Sequence, residues 1–289
     1  MDLSVVLVNW NTRDLLRACL ASLRTALADV TGGSEVIVVD NASTDGSAAM
    51  VAAEFPEVRL VANQENRNYA AGNNQGLAAA RGRWVLLLNP DTEVPRGAPG
   101  ALIQCLEEHS QAAAVAPALT YPDGRLQESV RGFPGPQALL GELTGLARCV
   151  PHSPWGTYRA AQPPQDRVSE VDQPMTSALL FRRSALDQVG HFDEDFPLFF
   201  NDVDLCFRLQ LAGWRILYDP RIRVVHHGGA STRQVRPEAI RLSHLGLQRF
   251  YARHYRSRLA APAYRLIQAA IALSGWLRVL HATLRNRTH

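Results

Sequence analysis

The sequence predicts an α/β fold built on a mostly parallel central sheet, and three observations carry that prediction. Short apolar runs, Leu3 to Val8, Glu35 to Val39, Val58 to Val61 and Trp84 to Leu88, alternate with stretches of helical periodicity, the pattern of strand, crossover helix and parallel strand. Each run is followed closely by Asn or Asp: Asn9, Asp40, Asn63 and, after Asn89-Pro90, Asp91. Trp84 to Leu88 is continuously hydrophobic and too short for a helix, as befits a strand buried on both faces.

Composition sets the outer limits. A chain of 289 residues accommodates one large α/β domain with extensions, or two small domains. Hydrophobic content of 46% and charged content of 20% describe an ordinary globular protein, and a net charge of +3 gives no argument for a nucleic-acid partner. All 30 basic residues are arginine, and many follow Arg208. Arginine binds phosphate and carboxylate through a planar fork, so this basic third suits lipid headgroups or a phosphorylated substrate, or is simply a solvated face. Cys19, Cys105, Cys149 and Cys206 lie far apart without a Cys-x-x-Cys pair, which argues against a zinc ribbon or disulfide framework and fits a reduced compartment. With the first strand at Leu3 and no signal core before it, the expected location is the cytoplasm, at the inner face of the cell membrane if the last helix touches lipid.

Taken in order, Leu3 to Val8 leads through Asn9-Trp10-Asn11-Thr12, with Asn11 or Thr12 as a helix cap, into an amphipathic helix marked by Leu16, Cys19, Leu20 and Leu23. The second strand delivers Asp40-Asn41-Ala42-Ser43, and a loop through Asn66, Asn68, Asn73 and Asn74 leads to a helix ending near Arg81. In a parallel sheet Asn9, Asp40, Asn63 and Asp91 share the carboxyl edge, where open α/β sheets bind ligands. Their acid and amide groups suit a nucleoside and a metal-bound diphosphate. Neither a Gly-x-Gly-x-x-Gly loop nor a Gly-Lys-Ser/Thr loop is present, so a divalent cation is the natural partner for the phosphates.

Gly97 to His109 reads as a helix and Ala113 to Thr120 as a strand. Arg131 to Pro174 reads as an irregular, proline-punctuated loop on the acceptor side. A strand is expected over Met175 to Phe181 and a helical turn near Ser184 to Val189. After Asp193-Glu194 comes a helix opening at Asn201-Asp202-Val203-Asp204, capped by Asn201 or Asp202. Residues two apart on a helix point in different directions, so Asp202 and Asp204 are expected to have separate roles, with Asp202 free to enter a cleft. Trp214 to Tyr218 and Ile222 to Val225 read as short strands, the second delivering His226-His227-Gly228-Gly229. Two helices finish the chain, Pro237 to Tyr255 and Ala263 to Leu284. The uncharged stretch between Arg265 and Arg278 is too short to span a bilayer, but with Trp276 it suits a membrane interface, a docked helix or a dimer contact.

From Leu3 to about Ser231 the chain resembles the family 2 inverting glycosyltransferases of the GT-A fold, particularly the bacterial rhamnosyltransferase-like branch. Five segments carry the resemblance: Asp40 to Ser47, Asn66 to Asn74, Asn89-Pro90-Asp91, Asn201-Asp202-Val203-Asp204 and the later His226-His227-Gly228-Gly229. It implies a GT-A domain over 1–235, with a nucleotide-sugar half (1–120) and an acceptor and catalytic half (121–235), and a C-terminal helical extension over 236–289. On the nucleotide-sugar side it places Asn9, Asn11, Asp40, Asn41, Asn66, Asn73, Asn74, Asn89 and Asp91. Asn68 stands where glycine is common, a mild change because Asn tolerates a left-handed backbone. The first residue of the metal-binding Asp-x-Asp is Asn89, which leaves Asp91 as the ligand, with His226 favoured over His227 to complete a Mg or Mn site.

By the same resemblance Asp202 is the catalytic base, with Asn201 where Glu is usual, and Asn201, Asp204, Asp193 and Glu194 lie on the acceptor side. The reaction implied is transfer of a sugar, a deoxyhexose such as L-rhamnose, from a nucleoside-diphosphate sugar to a glycan or lipid-linked acceptor. dTDP-rhamnose is the favoured donor, with UDP- and GDP-sugars as alternatives. One carboxylate opposite the leaving group inverts the anomeric centre. A helix N-terminus is expected to lower the pKa of Asp202. Other classes fit less well. A nucleotidyltransferase would show a Gly-rich basic loop near Asn9 to Asp14, and a glycosidase needs two carboxylates flanking the bond. A non-catalytic nucleotide-sugar or glycan-binding module would keep Asp40 and Asp91.

Overall fold

The computed structural model describes residues 1–150, 153–156, 158, 163–196, 198–228 and 236–287. Strand β1 (Leu3–Asn9) pairs in parallel with β2 (Ser34–Asp40) on one side and β4 (Trp84–Leu88) on the other, and β3 (Arg59–Ala62) extends the sheet beyond β2. Asn9 faces Asp40, and Leu7 faces Leu88. The polar residues after each strand therefore line one edge, as the sequence predicts. All residues of β1 and β4 are buried.

Helices α1 (Arg13–Ala26), α2 (Ser47–Glu54) and α3 (Asn68–Ala79) make the crossovers. Helix α1 buries Leu16, Cys19, Leu20 and Leu23 on one face. Helix α3 approaches the sheet more closely, through Gly72 and Gly76. A Cβ on Gly76 would lie 2.2 Å from Val6 Cγ1, and one on Gly72 2.8 Å from Val8 Cγ1. Asn68 opens α3 with φ of 66°, the left-handed backbone that asparagine accepts.

Beyond β4 the sheet is mixed. The chain forms β5 (Thr92–Glu93), α4 (Ala98–Glu108), β6 (Ala112–Thr120), β7 (Val130–Arg131), α5 (Pro136–Thr144), α6 (Leu146–Cys149), β8 (Ser169–Glu170), β9 (Gln173–Pro174) and β10 (Ala178–Arg182). Then follow α7 (Arg183–Val189), α8 (Asn201–Leu211), β11 (Arg215–His226), α9 (Arg236–His254) and α10 (Ala261–Arg287). Strand order is β3-β2-β1-β4-β10-β6-β11-β5, with β8 against β11. Strand β10 is antiparallel to both neighbours, and its first residue, Ala178, faces Leu88, the last of β4. The chain leaves β6 at the carboxyl edge and re-enters the sheet from that edge, which sets Thr176 and Ser177 beside Asn89.

Three local expectations change. Met175 to Ser177 is loop, and the strand begins at Ala178. Trp214 to Tyr218 and Ile222 to Val225 belong to one strand, β11, irregular between Asp219 and Arg223, where the buried Asp219 holds Arg221 through 2.8 and 2.7 Å hydrogen bonds. The stretch from Arg131 to Pro174 contains α5 and α6. Helix α5 hides in the sequence because Gly141 interrupts it, and that glycine is needed: a Cβ there would lie 2.0 Å from the Trp155 carbonyl oxygen. Residues 151, 152, 157 and 159–162 of this stretch, and Gly229 to Ser231 of the late histidine motif, lie outside the described residues.

A separate apolar cluster joins α8 to the C-terminal helices. It contains Leu139, Phe196, Phe200, Val203, Phe207, Phe250, Tyr251 and Ile271. The Phe207 and Phe250 rings meet edge to face at 5.3 Å. Helix α10 leaves much of its apolar surface open, including Leu266, Leu273, Trp276 and Leu277. By length and composition alone Ala261–Thr283 is apolar enough to cross a membrane; the shorter reach inferred from sequence counted only the residues between its two arginines.

Candidate active site

The carboxyl edge of the sheet supplies a connected set of polar groups. Asn9 Nδ2 donates to Asp40 Oδ1 at 2.8 Å, and Thr12 Oγ1 donates to Asn9 Oδ1 at 2.6 Å. The threonine hydroxyl is therefore spent on Asn9 and makes no cap bond to α1. Ser43 ties the next loop in, accepting from Asn9 Nδ2 at 3.1 Å and from the Asn11 backbone at 2.9 Å. Asn11 Oδ1 accepts the Thr44 backbone N–H at 2.8 Å. Asn41 bridges β2 to α3, donating to the Asn68 carbonyl at 3.0 Å and accepting from Asn63 at 2.9 Å. These bonds hold two loops in register on a rigid sheet, with Asp40 and Asn41 almost wholly buried beneath them.

Asp91 follows β4 and is 6% exposed. His226, the last residue of β11, brings its Nε2 to 3.3 Å from Asp91 Oδ1. The tautomer of His226 follows from its neighbours. Gln127 Nε2 donates to the His226 carbonyl at 2.5 Å, which turns Gln127 Oε1 toward the ring, 2.9 Å from Nδ1. Nδ1 then donates to Gln127 Oε1, and Nε2 is turned toward Asp91. Nε2 is buried and has no hydrogen-bond partner. A carboxylate beside a buried imidazole nitrogen that has no hydrogen-bond partner fits a divalent cation. Among the described residues no cluster of three or more His, Cys, Asp or Glu side chains could hold a metal, so a cation here would take its remaining ligands from phosphate and water. His227 points elsewhere, with Nε2 2.8 Å from Glu93.

Asp202 sits in the first turn of α8. Neither it nor Asn201 caps that helix: Phe200 holds the cap position with φ of 69°, and Asp202 Oδ1 accepts the Val203 N–H at 2.9 Å. Burial pushes the Asp202 carboxyl above its ordinary pKa, and the Val203 hydrogen bond and the Arg131 charge offset only part of that. This corrects the expected lowering, because desolvation outweighs the helix N-terminus. Tyr69 packs beside the Asn89 turn. Its hydroxyl donates to Thr176 at 3.1 Å and Asn89 at 3.4 Å. Burial, together with the charges of Asp202 and Asp91, pushes its pKa up to about 12. The Tyr69 hydroxyl therefore lies within electrostatic reach of both acids.

The remaining residues named from sequence go to other places. Asp204 is fully buried, and its oxygens take Arg208 Nε at 2.7 Å and His254 Nε2 at 2.7 Å, so both are engaged inside the fold. Asn201, also buried, donates to the Phe196 and Leu198 carbonyls at 3.2 and 2.9 Å, bonds that a glutamate, lacking an N–H, could not make. Asp193 pairs with Arg253. Glu194 accepts from Asn74 at 2.9 Å, while Asn74 also clamps the Phe192 backbone. Asn66 lies exposed at the mouth of α3, accepting the Asn68 N–H, and Asn73 is buried, donating to the Tyr69 carbonyl. Asn89 donates to Ser177 Oγ at 3.1 Å. Sequence reading missed Tyr69, Thr176, Gln127 and Arg131. Tyr69 and Thr176 adjoin predicted elements, but Gln127 and Arg131 carry no local signal.

The family model described as glycosyl transferase family 2 matches residues 4–190. An N-acetylglucosaminyl-diphospho-decaprenol L-rhamnosyltransferase of Mycobacterium tuberculosis is 31% identical, over 99% of this chain and 95% of its own. Two solved structures share the fold. The mannosyltransferase PcManGT from Pyrobaculum calidifontis, in complex with GDP-Man and Mn2+, is 20% identical with a TM-score of 0.58, over 99% of this chain and 74% of its own. S. aureus TarS in complex with UDP is 17% identical with a TM-score of 0.56, over 94% of this chain and 71% of its own. On the family match and the full-length relative, this chain belongs to glycosyl transferase family 2, as a rhamnosyltransferase-like enzyme of the GT-A fold.

Proposed function

We propose that the enzyme transfers L-rhamnose from dTDP-rhamnose to a sugar diphospho-lipid at the inner face of the cell membrane, with inversion. The observation that carries the catalytic part is the pairing of Asp91 with His226, whose Nε2 lies 3.3 Å from Asp91 Oδ1 and has no hydrogen-bond partner. The mycobacterial relative's name, with its similarity over nearly the whole chain, supports the sugar and the acceptor class, and the dTDP carrier rests on the family resemblance.

The reacting hydroxyl of the acceptor forms a bond to the anomeric carbon while the bond from that carbon to the diphosphate breaks. Asp202 takes the hydroxyl proton, and its raised pKa makes it a stronger base than an ordinary aspartate. Asp40, Asn9 and Asn41 hold the nucleoside loops, and Tyr69 keeps the Asn89 turn against Thr176. Asp91 and His226 Nε2 would hold Mg or Mn, which supplies positive charge to the leaving diphosphate. Gln127 keeps the proton on His226 Nδ1, so that Nε2 remains a donor.

The deciding experiment combines a thermal-shift screen of dTDP, UDP, GDP and their sugars, with and without Mn or Mg, with turnover on an N-acetylglucosaminyl-diphospho-prenol. A metal-dependent dTDP shift with rhamnosyl transfer is the expected outcome. A shift confined to UDP or GDP would replace the donor, and a shift without any transfer would favour a non-catalytic binding module.

A further inference from the structure

Resting on the reading of a lipid-linked acceptor, we infer that a groove between α5 and the C-terminal helices holds the acceptor's hydrocarbon chain, and that Arg131 binds its diphosphate. The groove encloses about 520 Å3, and Leu139, Leu143, Leu247, Ile271, Leu273 and Leu277 give it hydrocarbon walls. That is the size of a ligand site. Phe200, which immediately precedes Asn201 and Asp202, lines it, and so does Tyr158. The Arg131 guanidinium lies over the Tyr158 ring, 5.8 Å from its centre, and the charge of Arg131 acts on Asp202. Base, cation and apolar groove are therefore neighbours.

The groove also meets the open face of α10. Leu277 and Arg278 line it, while Leu266, Trp276 and Leu280 of the same helix are exposed. Up to Thr283 the helix carries Arg265 and Arg278 and no Asp or Glu, which complements an anionic bilayer, the phase from which a lipid tail would enter. A hydroxyl at Asp202, a diphosphate under the planar fork of Arg131 and a chain in the groove reproduce the order of groups in a sugar diphospho-lipid.

Farnesyl diphosphate is the probe, added to full-length protein saturated with dTDP so that the donor site is filled. It should raise the Tm more than inorganic diphosphate or farnesol does. Leu143→Trp, at a 38% exposed position, narrows the groove without opening a core, and Arg131→Gln removes the charge. Each should weaken farnesyl diphosphate binding by about tenfold or more, and each should leave the dTDP shift intact. A shift no larger than that of inorganic diphosphate, or one unchanged in both variants, would overturn the inference while leaving the transferase reading in place. Binding of farnesyl diphosphate without any dTDP shift would keep this site and sink the donor assignment. A dimer that Leu277→Asp dissociates would give the face to a second copy and overturn the inference.

Discussion

His254 Nε2 lies 2.7 Å from Asp204 Oδ1 although the two residues are 50 apart in sequence, so the C-terminal helix α9 is pinned to the helix that carries Asp202. The other oxygen of Asp204 takes Arg208 Nε at 2.7 Å. Arg208 gives three further N–H groups to the carbonyls of Val189, Gly190 and His191 at 2.6, 3.1 and 2.7 Å. Asp204 is wholly buried and Arg208 largely so, and removing the acid leaves the arginine without its partner. Asp204→Ala is therefore expected to cost about 3–5 kcal/mol in urea unfolding. A loss below about 1 kcal/mol would class the pair with surface bridges.

Asp202→Asn tests the base. Turnover should fall by about 100- to 10,000-fold, while the nucleotide-induced Tm shift survives. Unchanged turnover would remove Asp202 from the chemistry.

The raised pKa of Asp202 also sets two pH dependences. Activity needs the ionised carboxylate, so the acid limb of kcat/KM should have its midpoint above the ordinary Asp value of about 3.9. For stability the sign is opposite. Below the unfolded-state pKa both states hold the proton and nothing is lost; as pH rises through the folded pKa, the native state acquires a buried charge and loses stability. The Tm of Asp202→Asn relative to wild type should rise across that window. A limb at the ordinary Asp value, with no relative change in Tm, would show that solvent reaches the carboxylate.

Gln127 offers a test of the metal pair that leaves both ligands in place. Gln127→Ala frees the Nδ1 side of His226 and should weaken Mn-dependent nucleotide binding by about 10- to 100-fold. Asp91→Asn and His226→Ala should abolish the metal dependence, as should EDTA in wild type. Titration calorimetry of dTDP with and without Mn separates these effects, and equal affinities under both conditions would remove the cation from the site.

The close approach of α3 to β1 predicts a packing cost. The 2.2 Å between a Cβ on Gly76 and Val6 Cγ1 cannot persist, so Gly76→Ala should destabilise by about 1–3 kcal/mol. Gly33→Ala has no such contact and only left-handed strain, φ being 83°, and should cost about 1–2 kcal/mol. Chemical denaturation of both separates steric from backbone effects.

What the sequence determined by itself is the strand-helix alternation of the first half and the polar edge it creates. Side-chain periodicity and the residues that end each strand are local properties, so Asn9, Asp40 and Asp91 could be placed together before any contact was known. The divergence of Asp202 and Asp204 was legible for the same reason, since helical spacing sends neighbours two apart to different faces. Asn201 illustrates the limit. Its amide looked like a departure from a glutamate, and only the Phe196 and Leu198 carbonyls beside it give the amide a structural use. Tertiary structure alone decided that β10 runs antiparallel, that Gln127 orients His226 across 99 residues, that Tyr69 meets Thr176 across 107, and that burial rather than the helix N-terminus sets the pKa of Asp202. Each of these depends on which distant groups share a low-dielectric space, and neither residue type nor spacing along the chain encodes that directly.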